Sequence, residues 1–198
     1  MPKYLLSLSF AFLILILSVS PASAQEYTEE ITPEPTVAMQ EAKPTTPSAI
    51  VKYDLAYPGI LPDSPIYKLK VLRDKITVGL ISNPQKKAEF YLLQADKGIL
   101  AAAMLVDKKD FALAKETALK AEHNITMMTY DLWRFPKRLN LDFYNKLKTA
   151  SLKHQEVLVS LMKRVPEEDG KVFQTVLDFS KRNWETIEQF QTSPNIVH

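Results

Sequence analysis

From residue 66 to residue 190 apolar positions recur at steps of three and four, and no stretch keeps the strict alternation of a half-buried strand. Five such stretches follow one another. In the first, Ile66, Leu69, Leu72, Ile76 and Leu80 share one face, with Lys68, Arg73, Asp74 and Lys75 largely off it. The second has a coiled-coil-like heptad seam of Ala88, Leu92, Ala95, Ile99, Ala102 and Val106, and the third answers with Phe111, Ala114, Ala118, Ala121, Ile125, Met128 and Leu132. Both seams are rich in alanine. Small side chains let two helices approach closely, so the second and third are expected to form a tight antiparallel hairpin. Tyr144, Leu147, Ser151, His154, Leu158, Leu161 and Val165 make the fourth seam, and Phe173, Val176, Leu177, Ser180, Trp184, Ile187 and Phe190 the fifth.

The breaks between these stretches carry helix-start chemistry. Ser64-Pro65 predicts a cap followed by a proline at the first helical position, with Asp63 adding negative charge at the positive end of the helix dipole. Asn83-Pro84 repeats the device. Asp107 to Asp110 is a polar turn. Arg134 to Asn140 is the longest break; Pro136 disfavours helical geometry at Phe135, so the third helix should end near Arg134, and Asn140 can cap the fourth. Pro166 opens the fifth, with Glu167, Glu168 and Asp169 in its first turn. Upstream, Pro58, Gly59 and Pro62 break the chain, and Tyr57 and Leu61 are expected to staple the start of the first helix against the others. The fold class that follows is all-α: a five-helix antiparallel bundle over residues 51–191, preceded by a signal peptide and a disordered linker, with a frayed tail at 192–198.

The N-terminal 50 residues have a different character. Lys3, an apolar run from Leu5 to Val19, Pro21 and the small Ala22-Ser23-Ala24 form an export signal with cleavage expected after Ala24. The run is about 15 residues, short of the roughly 20 that span a bilayer. Residues 25–50 hold Glu26, Glu29, Glu30, Glu34 and Glu41 against Lys43 alone, together with four prolines, Pro33, Pro35, Pro44 and Pro47. Such a segment cannot bury enough apolar surface to offset its chain entropy and reads as an acidic linker. The expected location is therefore secreted or extracytoplasmic. Membrane attachment is expected only if the signal segment is kept as an anchor.

Composition narrows the chemistry. The chain of 198 residues has no cysteine, which excludes disulfides, thiolate zinc sites and iron–sulfur clusters. Its formal net charge is +2, and with an acidic linker the helical part is mildly basic, too mildly for a nucleic-acid binder. The only glycines are 59, 79, 98 and 170, so no loop cradles phosphate. Ser160-Leu161-Met162-Lys163 matches a four-letter hydrolase spelling without its companion motif. Of the three histidines, His123 lies off its seam, with Met127 four residues on, and reads as solvated. His154 lies in the fourth seam one turn after Ser151. A buried imidazole needs its N–H satisfied, so it is expected to be a core histidine hydrogen-bonded to a neighbouring helix, with a pH-sensitive or ligand-contacting role as the alternative. Trp133, Arg134, Phe135, Lys137 and Arg138 combine residue types common at binding hot spots on a loop, a candidate partner surface; the alternative is a loop whose aromatics cap the bundle. No catalytic, cofactor or metal residues are assigned.

One phrase has family character. Tyr57-Pro58-Gly59-Ile60-Leu61-Pro62-Asp63-Ser64-Pro65-Ile66-Tyr67, followed by Leu69-Lys70 and Arg73-Asp74, resembles the opening of the bacterial domain of unknown function 5667 (DUF5667). The likeness continues through His154-Gln155-Glu156-Val157-Leu158 and Val165-Pro166-Glu167, spanning about residues 53–190. The resemblance implies an exported helical protein and carries over no catalytic residues. The expectation is a non-catalytic helical module that binds a protein or an anionic component of the cell envelope. Alternatives are an extracytoplasmic stress or metal sensor or chaperone-like protein, and, behind these, a wall-acting enzyme.

Overall fold

Capping and periodicity decide where the chain becomes helical. In the computed structural model, which describes residues 50–133 and 138–193, the helices are α1 (Tyr67–Leu80), α2 (Pro84–Asp107), α3 (Phe111–Leu132), α4 (Leu141–Met162) and α5 (Glu167–Thr192). No strand occurs among the described residues. The export signal, nearly all of the linker, Arg134, Phe135, Pro136, Lys137 and the last five residues lie outside them. Asn83 Oδ1 accepts from the Lys86 amide at 3.0 Å with Pro84 first in α2, and Asn140 Oδ1 accepts from the Phe143 amide at 2.7 Å. Asp110 caps α3 through the Leu113 amide at 3.1 Å, after Lys109 has taken a left-handed φ of 62° to turn the chain.

The seams of α2 to α5 bury one another. α2 packs along α3 and α4 along α5, while α3 meets α5 and α2 meets α4. The core falls into two apolar clusters. One is built on Leu92, Met128, Leu147, Ile187 and Phe190; the other on Ile99, Leu105, Leu158, Leu161 and Phe173. The chain passes from the first cluster to the second along α2, back along α3, across again along α4 and back along α5. The expected close approach of α2 and α3 is present at Gly98, where an added Cβ would lie 2.6 Å from the Ala121 Cβ and 3.1 Å from its Cα.

The start of α1 departs from expectation. Ser64 does not cap it: the N-cap position is Ile66, without a side-chain hydrogen bond, and Ser64 instead sits in a turn in which its carbonyl accepts from the Tyr67 amide at 3.0 Å. Pro65 is consequently in the turn and not in the helix. Asp63, expected to serve the dipole, pairs with Lys108 at 2.6 Å at the end of α2. Tyr57 is 69% exposed and staples nothing, whereas Pro58 is buried. Gly59 adopts φ 68°, a conformation that a Cβ would oppose. The Lys70 ammonium donates to the Pro58 and Ile60 carbonyls at 2.9 and 3.3 Å, tying this phrase back onto α1. Arg73 and Asp74 pair with each other at 2.7 Å.

The face of α1 is reversed as well. Ile66, Leu69, Leu72, Ile76 and Leu80, expected in the core, are 53–77% exposed, and α1 has no buried residue. Its inner side is Tyr67, Lys70, Val71 and Val78; Tyr67 and Lys70 lie over Gly98, Ala101 and Ala121. Where α1 lies, on the outer side of the α2–α3 pair, Gly98 meets Ala121 too closely to leave a groove for a stripe of leucines. The small residues on the outer side of the α2–α3 pair instead accept one tyrosine and a lysine stem.

Two stability predictions follow from this packing. Gly98→Ala gains about 1 kcal/mol of helix propensity but forces α2 and α3 apart, so chemical denaturation should show a net loss of about 1–2 kcal/mol. Leu69→Gln with Ile76→Gln should move stability by no more than about 0.5 kcal/mol, against about 2–5 kcal/mol for Leu158→Ala. A large loss from the α1 pair would mean that its stripe is buried in solution.

Candidate functional site

His154 occupies the middle of α4, where the seam faces both α2 and α3. It is 1% exposed. Its Nε2 lies 2.9 Å from Asp96 Oδ1 on α2 and its Nδ1 2.9 Å from Glu122 Oε1 on α3, both carboxylates also buried. The remaining carboxylate oxygens are engaged too. The Tyr53 hydroxyl donates to Asp96 Oδ2 at 2.7 Å. The Asn183 amide of α5 donates to Glu122 Oε2 at 3.3 Å and to the Glu122 carbonyl at 3.1 Å, and Thr126 donates to Asn183 Oδ1 at 3.0 Å. The network thus joins α2, α3, α4 and α5 with the segment that precedes α1.

Burial alone pushes the imidazole pKa down. The hydrogen bonds that the ring donates to Asp96 and Glu122, and the charges of those carboxylates, outweigh it and hold His154 up at about 9. At neutral pH the ring is therefore an imidazolium that donates from both nitrogens, as two flanking carboxylates require. Burial, then the hydrogen bond to Asp96, raise the Tyr53 phenol well above its ordinary value, so it stays a donor. With both nitrogens engaged, the ring has no lone pair for a metal, and no group of three His, Asp or Glu side chains that could hold one occurs among the described residues.

His154, expected to bond one neighbouring helix, meets two, α2 through Asp96 and α3 through Glu122. Ser151 does not join the network: it is half-buried and accepts from the Gln155 amide at 3.3 Å. Asp96 and Glu122 escaped the sequence reading, yet their spacing pointed inward. Asp96 is four residues after Leu92 and three before Ile99; Glu122 is four after Ala118 and three before Ile125.

Beside the network lies an open groove of about 600 Å³ between α3 and α5. Its apolar lining is Leu119, Tyr130, Trp133 and Phe179, and it includes Glu122, Thr126 and Asn183 from the network. Lys120, His123 and Arg182 also line it, the Arg182 guanidinium lying 4.6 Å from the Phe179 ring centroid. The surface expected at Trp133 to Arg138 divides. Trp133 is 52% exposed and lines the groove, its ring edge-on to Phe190 at 5.4 Å. Arg138 donates to the Ser193 carbonyl at 2.9 Å at the end of α5. Arg134, Phe135 and Lys137 fall outside the described residues. The α5 wall, Phe179 and Arg182, had no sequence signal, because positions just off a seam look like any solvated face.

A family model for a domain of unknown function, DUF5667, matches residues 59–168, more than half of the chain. The match takes in Asp96, Glu122 and His154 and stops in the first turn of α5, before the α5 wall of the groove. No curated protein and no solved structure matches.

The network has a pH signature. The folded pKa of about 9 exceeds the unfolded value of about 6.5, so the His154 contribution is fully present below about pH 6.5 and is lost as pH rises through about 9. Denaturation between pH 6 and 9.5 should show stability falling by roughly 3 kcal/mol. His154→Leu, which leaves two carboxylates unpaired, should be weaker by about 3–5 kcal/mol at neutral pH. That variant should also lack most of the alkaline slope; a native protein with a flat profile would sink the imidazolium assignment.

Proposed function

The chain belongs to the DUF5667 family, and on that premise we propose that it is an exported, non-catalytic five-helix antiparallel bundle that binds a protein or a cell-envelope component through the groove between α3 and α5. The carrying observation is the groove itself. Tyr130, Trp133 and Phe179 stand partly exposed on its walls, residue types that supply large contact area at little conformational cost, above a floor with hydrogen-bonding groups. Antiparallel helices are supported by the order in which the chain crosses the two apolar clusters, which alternates from α2 to α5. Export is supported by the charged, apolar and small-residue pattern of residues 1–24. A binding role in place of a catalytic one is supported by His154, whose two nitrogens are both engaged and which does not line the groove.

A photoreactive residue placed at Tyr130 or Phe179 in the native cell tests the reading. Defined adducts should form from these positions and not from the exposed Lys181 on α5. Adducts no more frequent than at Lys181 would remove the groove as a binding site. Mass determination of the recovered protein should place its N-terminus at Gln25.

A further inference from the structure

The stripe is a row of five large exposed aliphatic side chains, Leu69, Leu72, Ile76 and Leu80 on one face of α1 and Ile66 at its N-cap. Scattered exposed leucines need no explanation; a contiguous row does. The opposite side of α1 faces the α2–α3 pair. That side is committed, with Lys70 bonded to the Pro58 and Ile60 carbonyls, Val78 packed on the core and Tyr67 set over Gly98 and Ala101.

Charge decides what covers the row. α1 carries Lys68, Lys70, Arg73 and Lys75 against Asp74 alone, and Lys68, Arg73 and Lys75 are exposed beside the stripe. Arg73 shares its charge with Asp74; among the described residues Lys68 and Lys75 have no ion-pair partner. Two copies joined along the stripe would set these cations against one another, which opposes association. A negatively charged surface gains from them. The stripe is also purely aliphatic, without the aromatic anchors that a specific protein partner uses. At 14 residues the helix is about 21 Å long, and no described helix is long and apolar enough to cross a membrane. The aliphatic stripe and its cationic flanks together describe a helix that lies in a bilayer surface.

We infer that α1 is a membrane-surface helix: its stripe from Ile66 to Leu80 enters the boundary between head groups and acyl chains of an anionic bilayer, and Lys68, Arg73 and Lys75 meet the head groups. This contact is separate from the α3–α5 groove and from any attachment through residues 5–19.

The chain has no cysteine, so one introduced thiol reports from one place. Full-length protein carrying Leu72→Cys, labelled with a polarity-sensitive fluorophore, is mixed with vesicles of phosphatidylcholine and phosphatidylglycerol. The probe should brighten and shift to the blue, while a probe at Lys181→Cys stays unchanged. Phosphatidylcholine vesicles should give little response, and high salt should suppress it. Lys68→Glu with Lys75→Glu should weaken the response at least about tenfold with helix content intact. A silent Leu72 probe on protein that still floats with the vesicles would overturn the inference, because attachment would then lie in the N-terminal run. An equal response to neutral vesicles would overturn the lipid class. A probe change that depends on protein concentration without lipid would assign the stripe to a second copy.

Discussion

An imidazolium held between two carboxylates, 2.9 Å from each, is the interaction around which the helices are arranged. It lies where the two apolar clusters part. On α2 the first cluster ends at Ala95 and the second starts at Ile99, with Asp96 between; on α3 Glu122 separates Ala121 from Ile125; on α4 His154 separates Ala150 from Leu158. Asn183 on α5 falls between Leu177 and Ile187. A buried carboxylate without partners is costly, and each of the four carboxylate oxygens here has one. Apolar packing tolerates sliding and exchange of neighbours. A charge network whose donors and acceptors match one for one does not, because any shift by a turn strands a charge.

The same layer links the core to the surface. Glu122 bonds His154 with one oxygen and Asn183 with the other, and Glu122, Thr126 and Asn183 also line the groove. A ligand that took a hydrogen bond from Asn183 would draw on a donor already committed to Glu122, and so would act on the group that keeps His154 charged. The segment preceding α1 is drawn into the arrangement by Tyr53, whose hydroxyl bonds Asp96, and by the Val51 amide, which donates to Glu156 at 2.7 Å. The opening phrase is therefore fastened at both of its ends, by Tyr53 before it and by Lys70 after it.

Close approach explains why α1 stands apart. With Gly98 set against Ala121, α2 and α3 meet nearly backbone to backbone, and little apolar depth remains on their outer side. A helix laid there finds space for a tyrosine ring and a lysine stem and none for a leucine row. The apolar period of α1 was a true signal of a one-sided helix. Period reports that a face is apolar, and it does not report what the face meets.

Helix number, approximate bounds, the Asn83 and Asn140 caps and the seams of α2 to α5 were legible in the chain itself, because capping and 3.6-residue periodicity depend on residues a few positions apart. His154 was legible as a buried group that must find a partner. Its partners were not, since Asp96 and Glu122 lie 58 and 32 residues away in sequence and acquire meaning only when three helices converge. Ser64 misled for a related reason: a serine before a proline is as good a turn as a cap, and the contacts of Lys70 and Asp63 selected the turn. The groove between α3 and α5 and the outward stripe of α1 belong wholly to tertiary structure. Both depend on which faces are left over once the four seams have closed, and that is settled by long-range packing, which no local pattern encodes.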